Sequence, residues 1–413
     1  MANSFSKEER VAFEDILGGF DDALTISKNV NKYGTNGELM ERTNDTIYRP
    51  MPYIMTSQDR TLGSAVTAQD ATQLKVPSNL DQKKNVTWTL DALELRDMLQ
   101  ENRLGKSAYQ RLASDINTKV RDTVSLEGTL VVPITGASGD YADVALAEAL
   151  MLEQGMDAEE RCAAITSRDW VGLSNDLSKA SRSFGNAKSD NAYEKSLIGD
   201  IAGFESLKID AGKQITAAAG SSLTVDTTGA QVQYAPTNTA DNRYQAVTFS
   251  STTGMVAGDA FTVAGIFAVH HITKESTGQL KTFRVKSVDS GTVATISPPM
   301  IGANSTPTDA ESQYKNVEVD STSATAAVVF LNANLAAANP FWTKDSIEIL
   351  PGRYAVPENQ GVDILRGVTD QGIEVVMGKS FLNSTFVSTY TLDVFYGVVN
   401  CNPEKNGIIL WNQ

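Results

Sequence analysis

Cysteine and histidine are nearly absent from this chain of 413 residues, with two of each. Cys162 and Cys401 lie far apart and no CxxC occurs, so a disulfide framework is not expected and a reducing compartment fits best. The two histidines are adjacent, His270 and His271. Neighbours on a regular strand point to opposite faces, so the pair cannot hold one metal together. No apolar run reaches the ~18–20 residues that a membrane span needs. Residues 1–20 lack the basic start and apolar core of a secretion signal. Synthesis and use in a cytoplasm, away from membranes, are therefore expected. Positive charge is also short: 35 basic against 50 acidic residues leave −15. That balance argues against a nucleic-acid-binding protein, which needs a basic stripe to neutralise phosphates.

Catalytic signals are equally sparse. Gly136-Ala-Ser-Gly139 precedes a helical pattern but lacks the lysine of a P-loop and the third glycine of a dinucleotide site. Glu159 and Glu160 read as a solvated helix end. A nucleophile built from Cys162 and either histidine rests on residue types alone. No zinc, calcium or kinase motif occurs, and no cofactor or metal is expected.

What is present suits a soluble, multi-domain protein. Hydrophobic residues make up 41%, enough for real cores, and the length calls for two or three domains. Residues 1–45 are polar and broken by Gly18, Gly19, Gly34 and Gly37. Val11, Phe13, Ile16 and Leu17 mark one amphipathic helix there, read as part of an arm that lies on something else. β-like pieces occur around Ile47-Tyr48, Tyr53 to Met55 and Val86 to Trp88. The polar stretch Thr56 to Asn85 between them reads as a two-stranded loop reaching outward, or as a mobile one. Asp91 to Met98 reads as a short helix.

The strongest helix runs from about Arg103 to Leu126, with Leu104, Ala108, Leu112, Ile116, Val120 and Val124 each four apart. Such a row drifts by about 40° per step, so the stripe turns half way round the axis, as in a strut with different partners along its length. Gly105 costs about 1 kcal/mol inside a helix, which moves the expected start towards Lys106. Further on, Asp143 to Gln154 is helical, Ala163 to Ile165 and Ile201 to Ile209 are strand-like, and Ser167 to Trp170 starts a turn or helix.

From about Ile215 to Ala338 the chain turns rich in Thr, Ser, Val, Ala and Gly and nearly helix-free. Val247–Phe249, Ala260–Val263, Phe267–Ile272, Thr282–Val288 and Val293–Ile296 read as strands separated by turn signals, which indicates a small inserted β-barrel or sandwich. Val387 to Val398 alternates, with Tyr390, Leu392, Val394, Tyr396 and Val398 on one face. Asn406-Gly407 is a turn signal before Ile408 to Trp411, and the two consecutive strands are expected to join the same sheet as an earlier part of the chain. No internal repeat is apparent.

Asp241 to Gly265, DNRYQAVTFSSTTGMVAGDAFTVAG, resembles the β-rich insertion of the major capsid proteins of short-tailed enterobacterial (Salmonella podovirus) phages. The shared features are an Asn-Arg-aromatic opening, a strand, a Thr-Thr-Gly-Met turn, a Gly-Asp and another strand. Other segments resemble that family in the same order. Trp88 to Asp97 is similar to the entry of its spine helix, and Ala108 to Val132 to that helix and its exit strand. Asn339 to Ile347 is similar to the return from the insertion, and Phe395-Tyr-Gly-Val398 to the C-terminal strand.

The resemblance implies an α+β, Hong Kong 97-type tailed-phage capsid fold. Its parts would be an N-terminal arm at 1–45, an extended loop at 46–88, and the spine helix with part of a peripheral domain at 89–132. An axial domain would follow at 133–214, then the inserted β-barrel domain at 215–338 and a return to the peripheral and axial parts at 339–413. It further implies self-assembly as pentamers and hexamers into an icosahedral shell around double-stranded DNA, through a procapsid that expands. The partners would be copies of itself, a scaffolding protein and a portal, in the virion and, during assembly, in the bacterial cytoplasm. The family's intercapsomer loop would fall at Gln233 to Arg243, shorter here than in the family. Asp241 and Arg243 are the candidate polar contacts there, with Asp59, Arg60, Lys83 and Lys84 on the extended loop. A β-rich adhesin or binding module is the alternative, and an enzyme a distant third.

Overall fold

A computed structural model describes residues 7–33, 46–51, 55, 57, 60–63, 65, 73–91, 98–179, 187–228, 231–232, 240–302, 309–320, 323–354, 363–369 and 371–413. In chain order the first elements are helix α1 (Lys7–Ala23), strands β1 (Asn31–Lys32), β2 (Thr46–Pro50), β3 (Lys75–Asn79) and β4 (Gln82–Asp91), and helix α2 (Met98–Glu127). Next come β5 (Leu130–Pro133), α3 (Tyr141–Glu153), β6 (Arg161–Thr166), α4 (Ser167–Lys179), α5 (Ala187–Lys195), β7 (Glu205–Ile209) and β8 (Lys213–Ile215). A β-rich stretch follows: β9 (Thr224–Val225), β10 (Gln245–Thr248), β11 (Ala260–Val269), β12 (Ser276–Val288), β13 (Val293–Ser297), the short helix α6 (Asp309–Tyr314), β14 (Val317–Val319) and β15 (Ala326–Phe330). The last elements are β16 (Ala336–Thr343), β17 (Ile347–Pro351), β18 (Asp363–Val368), β19 (Glu374–Leu382), β20 (Val387–Asn400) and β21 (Asn406–Leu410). Two compact units form, one from residues 1–47, 78–121 and 347–399, the other from 48–77, 122–346 and 400–413.

The first unit is built on a sheet of order β1-β17-β20-β19-β18, with β4 also paired to β20. β20 alternates along its first half, burying Ser388, Tyr390, Leu392 and Val394, which is the period-2 signature of a strand with one covered face. Trp88 of β4 stacks on Tyr390 at 5.8 Å between ring centroids, as their direct cross-strand register requires. α1 buries Phe13, Ile16 and Phe20, whereas Val11 is 58% exposed. Its residues Phe13 and Leu17 pack at Gly367 of β18, and Glu9 pairs with Lys379 at 2.5 Å while accepting from the Tyr390 hydroxyl at 2.8 Å.

α2 is 30 residues long, about 45 Å at the α-helical rise. Its row Ala108, Leu112, Ile116, Val120 and Val124 is buried throughout, at 0–2% exposure. Each buried Leu, Ile or Val side chain contributes about 1.5–3 kcal/mol. The helix begins at Met98, so Gly105 lies inside it rather than before its start. A Cβ at Gly105 would come within 2.7 Å of Ile16 Cδ1, so the missing side chain lets α1 approach. Asp91 closes β4 and Met98 opens α2; the short helix expected at Asp91 to Met98 falls on 92–97, outside the described residues.

Among the described residues the second unit holds two large sheets, besides most of the two-stranded β2-β3 pair. One has order β5-β21-β16-β6-β7, with β8 paired to β16, and α3 and α4 pack on it through Val144, Ala147, Met151, Trp170, Leu173, Phe341 and Trp411. The other is seven-stranded, with order β10-β13-β12-β11-β15-β9 and β14 on β11. A bridge between Val225 and Phe249, with Ser250 N–H donating to Thr224 O at 2.9 Å, joins its two ends and closes it into a barrel. The barrel is filled by Val247, Phe249, Phe261, Val263, Phe283, Val285, Ile296 and Met300.

Several sequence expectations are corrected here. Ala260–Val263 and Phe267–Ile272 form one strand, β11, irregular between Thr262 and Phe267 and ending at Val269. The β-rich stretch contains helix α6. Asn406-Gly407 opens β21 and is not a turn; the reversal is made by Pro403–Lys405. β20 and β21 each join an earlier part of the chain, but in different sheets, β20 beside β4 and β21 beside β5; the chain passes from the first unit to the second at Val399 and Asn400.

Candidate assembly surface

A polar seam of the second unit runs along β12. Phe283 and Val285 face the barrel interior, so Thr282, Arg284 and Lys286 point the other way. There they meet the end of α2, whose last carbonyls have no intrahelical donor. Arg284 donates to Ser125 O at 2.7 Å, and Thr282 Oγ1 donates to Thr129 O at 2.6 Å. Lys286 pairs with Glu127 at 2.5 Å. A guanidinium thus caps a helix C-terminus, where the dipole favours a cation. Burial pushes the Arg284 pKa down to about 10, with Asp259 opposing, so it stays charged at neutral pH.

Next to this seam lies a buried ion pair. Lys281, 2% exposed, donates to Glu404 Oε1 at 2.7 Å and to Gln154 Oε1 at 3.2 Å, and Asn316 Nδ2 donates to the same Glu404 oxygen at 3.2 Å. Burial alone would raise the Glu404 carboxyl, but Lys281, His271 and these hydrogen bonds outweigh it and hold it below its usual value. His270 and His271 do not sit on a strand; they form the turn after β11. His270 Nδ1 accepts from Ile272 and Thr273 N–H at 3.3 and 3.2 Å, while His271 N–H donates to Gln154 O at 2.8 Å. Burial, with Lys274, Lys281 and Lys405 adding to it against Glu404, pushes the His271 pKa down to about 4.

Asp241 and Arg243 meet as an ion pair at 2.7 Å. Asp241 takes φ +56°, a left-handed conformation that Asp tolerates, and its N–H donates to Lys75 O at 2.8 Å. Arg243 is turned inward, 8% exposed, donating to Asn400 O at 2.7 Å and lying 5.0 Å from the Tyr244 ring. The remainder of the candidate loop, 233–239, is outside the described residues. So is Asp59. Arg60 is exposed. Lys83 and Lys84 are exposed on β4, with Lys83 Nζ 5.7 Å from the Phe395 ring. Of the six candidate residues, the structure brings Asp241 and Arg243 together; Arg60 and the two lysines stand apart from that pair in sequence. Sequence reasoning missed Lys281, Thr282, Arg284 and Glu404. An outward-facing strand row with Lys and Arg reads as solvated, and the carbonyls that bind it lie far away in the sequence.

The chemical candidates find little support. Burial, then Glu205 and Glu160, push the Cys162 thiol up to about 12, which leaves it protonated and unreactive. The loop Gly136–Gly139 leads to α3 through Asp140, and Gly139 N–H donates to Asp143 at 3.5 Å, so carboxylates already occupy that helix start. Glu159 and Glu160 are exposed in the bend before β6, not at a helix end. A cleft of about 290 Å³ is lined by Thr166, Arg168, Asp169, Asp210 and Gln214 among others. Its Asp169 carboxylate accepts from Thr166 Oγ1 at 2.7 Å and Asn339 Nδ2 at 2.9 Å, which makes it a structural acceptor. Among the described residues no group of His, Cys, Asp and Glu could hold a metal, and no helix is long and apolar enough to cross a membrane.

Among solved structures, a CUS-3 coat protein I-domain is 39% identical over 27% of this chain and 99% of its own, with a TM-score of 0.21. A structure from Mycobacterium phage Che8 matches at 9% identity over 94% of this chain and 91% of that one, with a TM-score of 0.48. The asymmetric unit of the bacteriophage PhiM1 mature capsid matches at 10% identity over 94% and 87%, with a TM-score of 0.47. The family described as "P22 coat protein - gene protein 5" matches residues 1–411. A match over almost the whole length, on an α+β chain with a closed β-barrel between β8 and β16, shows that the chain belongs to the P22 coat protein family.

Proposed function

We propose that this major capsid protein assembles as pentamers and hexamers that close into an icosahedral shell around double-stranded DNA. The family match over residues 1–411 carries the reading. Assembly proceeds with a scaffolding protein and a portal in the bacterial cytoplasm, and the first shell, a procapsid, later expands. The mechanism is geometric: one chain meets slightly different neighbours, and many weak contacts sum. Exposed ion pairs contribute about 0–1 kcal/mol each, too little to hold two subunits but enough when repeated around a closed shell. The role is structural, without a catalytic step.

Within this reading residues 1–45 form the arm, 46–88 the extended loop, 89–132 the spine helix with part of the peripheral domain, 133–214 the axial domain, 215–338 the inserted β-domain, and 339–413 the return. Arg60, Lys83 and Lys84 are exposed cations on an acidic chain and suit contacts with carboxylates of neighbouring copies. Asp59 is the acidic member of that set. Asp241 and Arg243 act at the root of the intercapsomer loop: the buried arginine anchors the loop, and the half-exposed carboxylate remains available to a neighbour.

The test is electron microscopy and sedimentation of the chain expressed alone and with its neighbouring viral genes. Uniform closed shells are expected on co-expression, and aberrant shells, tubes or monomers when the chain is alone. A monodisperse monomer in both samples overturns the proposal.

A further inference from the structure

Helix α3 is apolar around most of its circumference, yet one face of it is uncovered. Its inner side, Val144, Ala147 and Met151, is buried on the sheet with Trp411. At 100° per residue the opposite side spans an arc of about 140° that holds Tyr141, Leu152, Ala145, Ala149, Ala142, Glu153 and Leu146. Tyr141, Leu146 and Leu152 are 54%, 55% and 45% exposed. Glu153, at the very end, is the one charged side chain in that arc. A helix that is hydrophobic all round is characteristically a buried helix, yet among the described residues Tyr141, Leu146 and Leu152 stay exposed.

Charge decides which partner. A basic macromolecule would be drawn to the acidic surface of a chain carrying −15 and would find the carboxylates here confined to the rim, Glu153 at the end of the arc, Glu148 at its edge and Asp176 at the Tyr141 N–H. A second copy carries the same excess and is repelled over most of the surface. It can approach within a Debye length, about 8 Å at physiological salt, most cheaply where charge is missing. We propose that the exposed face of α3 is a docking surface for a second copy of this chain, covered on assembly. The inference rests on the coat-protein reading. A face about 20 Å long and about 10 Å wide is well below the roughly 800 Å² per partner of a stable pair, so the contact forms with others in a particle and not between two free subunits.

The test places a photo-crosslinking benzoylphenylalanine at Leu146, and separately at Leu152, in the full chain. Particles and dispersed subunits are irradiated and the linked peptides mapped by mass spectrometry. Covalent dimers joining two copies of this chain are expected in particles and not in dispersed subunits. Leu146→Glu is measured alongside: its melting temperature should match the wild type, because the site is exposed, while particle yield falls at least tenfold. Particles whose position 146 and 152 probes link to nothing, or to a different polypeptide, overturn the inference while the coat reading stands. So does an unchanged particle yield for Leu146→Glu. Wild-type protein that forms no particles with its neighbouring genes overturns the coat reading, and this inference with it.

Discussion

Lowering the pH should expose the His271 environment first. The ring is partly buried, and burial together with Lys274, Lys281 and Lys405 opposes its protonation more than Glu404 favours it, so its pKa in the folded chain is about 4. Unfolded, the same ring takes up a proton near 6.5. Between these values the unfolded chain binds a proton that the folded chain refuses, so folding loses stability as pH falls from about 6.5 to about 4, and no further below that. The full gap corresponds to about 3 kcal/mol, or about 2 kcal/mol once solvent screening at the partly exposed ring is allowed for. Glu404 acts in the same direction at lower pH: its depressed carboxyl contributes stability that is lost as pH falls through its folded value. With two histidines in the chain, selective imidazole ¹⁵N labelling yields two ring systems, and His271→Gln assigns them by removing one. The His271 signals should stay those of a neutral ring from pH 7.5 to 5. The urea midpoint of the wild type should fall more steeply than that of His271→Gln between pH 6.5 and 4.5. A His271 ring that titrates near 6.5, or equal slopes for the two proteins, would refute the argument.

Two glycine comparisons give further tests. In Gly407→Ala the new Cβ would lie against Leu130 O and 2.5 Å from Leu130 Cβ, within the parallel β5–β21 pair. Backbone cannot yield as a side-chain end can, so a loss of about 3 kcal/mol is expected, read as a lower melting temperature and soluble yield. Gly18 of α1 has open space around it, so Gly18→Ala should stabilise by about 1 kcal/mol through helix propensity. Gly19→Ala, whose Cβ would meet the Tyr109 ring at 2.6 Å, should lose that gain, and paired thermal melts would show the difference.

The parts of this fold that were legible in the sequence are those with a local period. The i+4 row of α2 and the alternation of β20 follow directly from side-chain direction, and the barrel strands from β-branched runs between turn residues. What escaped depends on partners distant in sequence. Gly105 reads as a penalty until Ile16 of α1 comes to lie against it. Asn406-Gly407 reads as a turn, although the glycine is there because the β5 backbone leaves no room for a Cβ. Arg284 reads as a solvated strand residue, and its burial makes sense only beside the unpaired carbonyls of α2, 159 residues earlier. Asp241 and Arg243 read as polar contacts for a neighbour; that they pair with each other, with the arginine turned inward onto Asn400 O, was not legible. The family was legible for another reason: weak motifs in a shared order constrain one another.

Charge then separates two ways of holding a shell together. Each copy carries −15, so copies repel at long range, and raising the salt from 0.05 to 0.5 M shortens the reach of that repulsion. Inside the subunit the Lys281–Glu404 and Arg243–Asp241 pairs have one partner almost fully buried and are screened much less. If neighbouring copies meet mainly through charge-poor faces such as that of α3, salt removes a cost and leaves the apolar gain in place. Assembly followed by light scattering should then speed up with salt, while the melting temperature of the subunit stays nearly constant. If copies are held instead by Arg60, Lys83 and Lys84 against neighbouring carboxylates, the same salt weakens the attraction and assembly slows. A slower rate with an unchanged melting temperature would therefore move the main contact from the apolar helix face to the exposed cations.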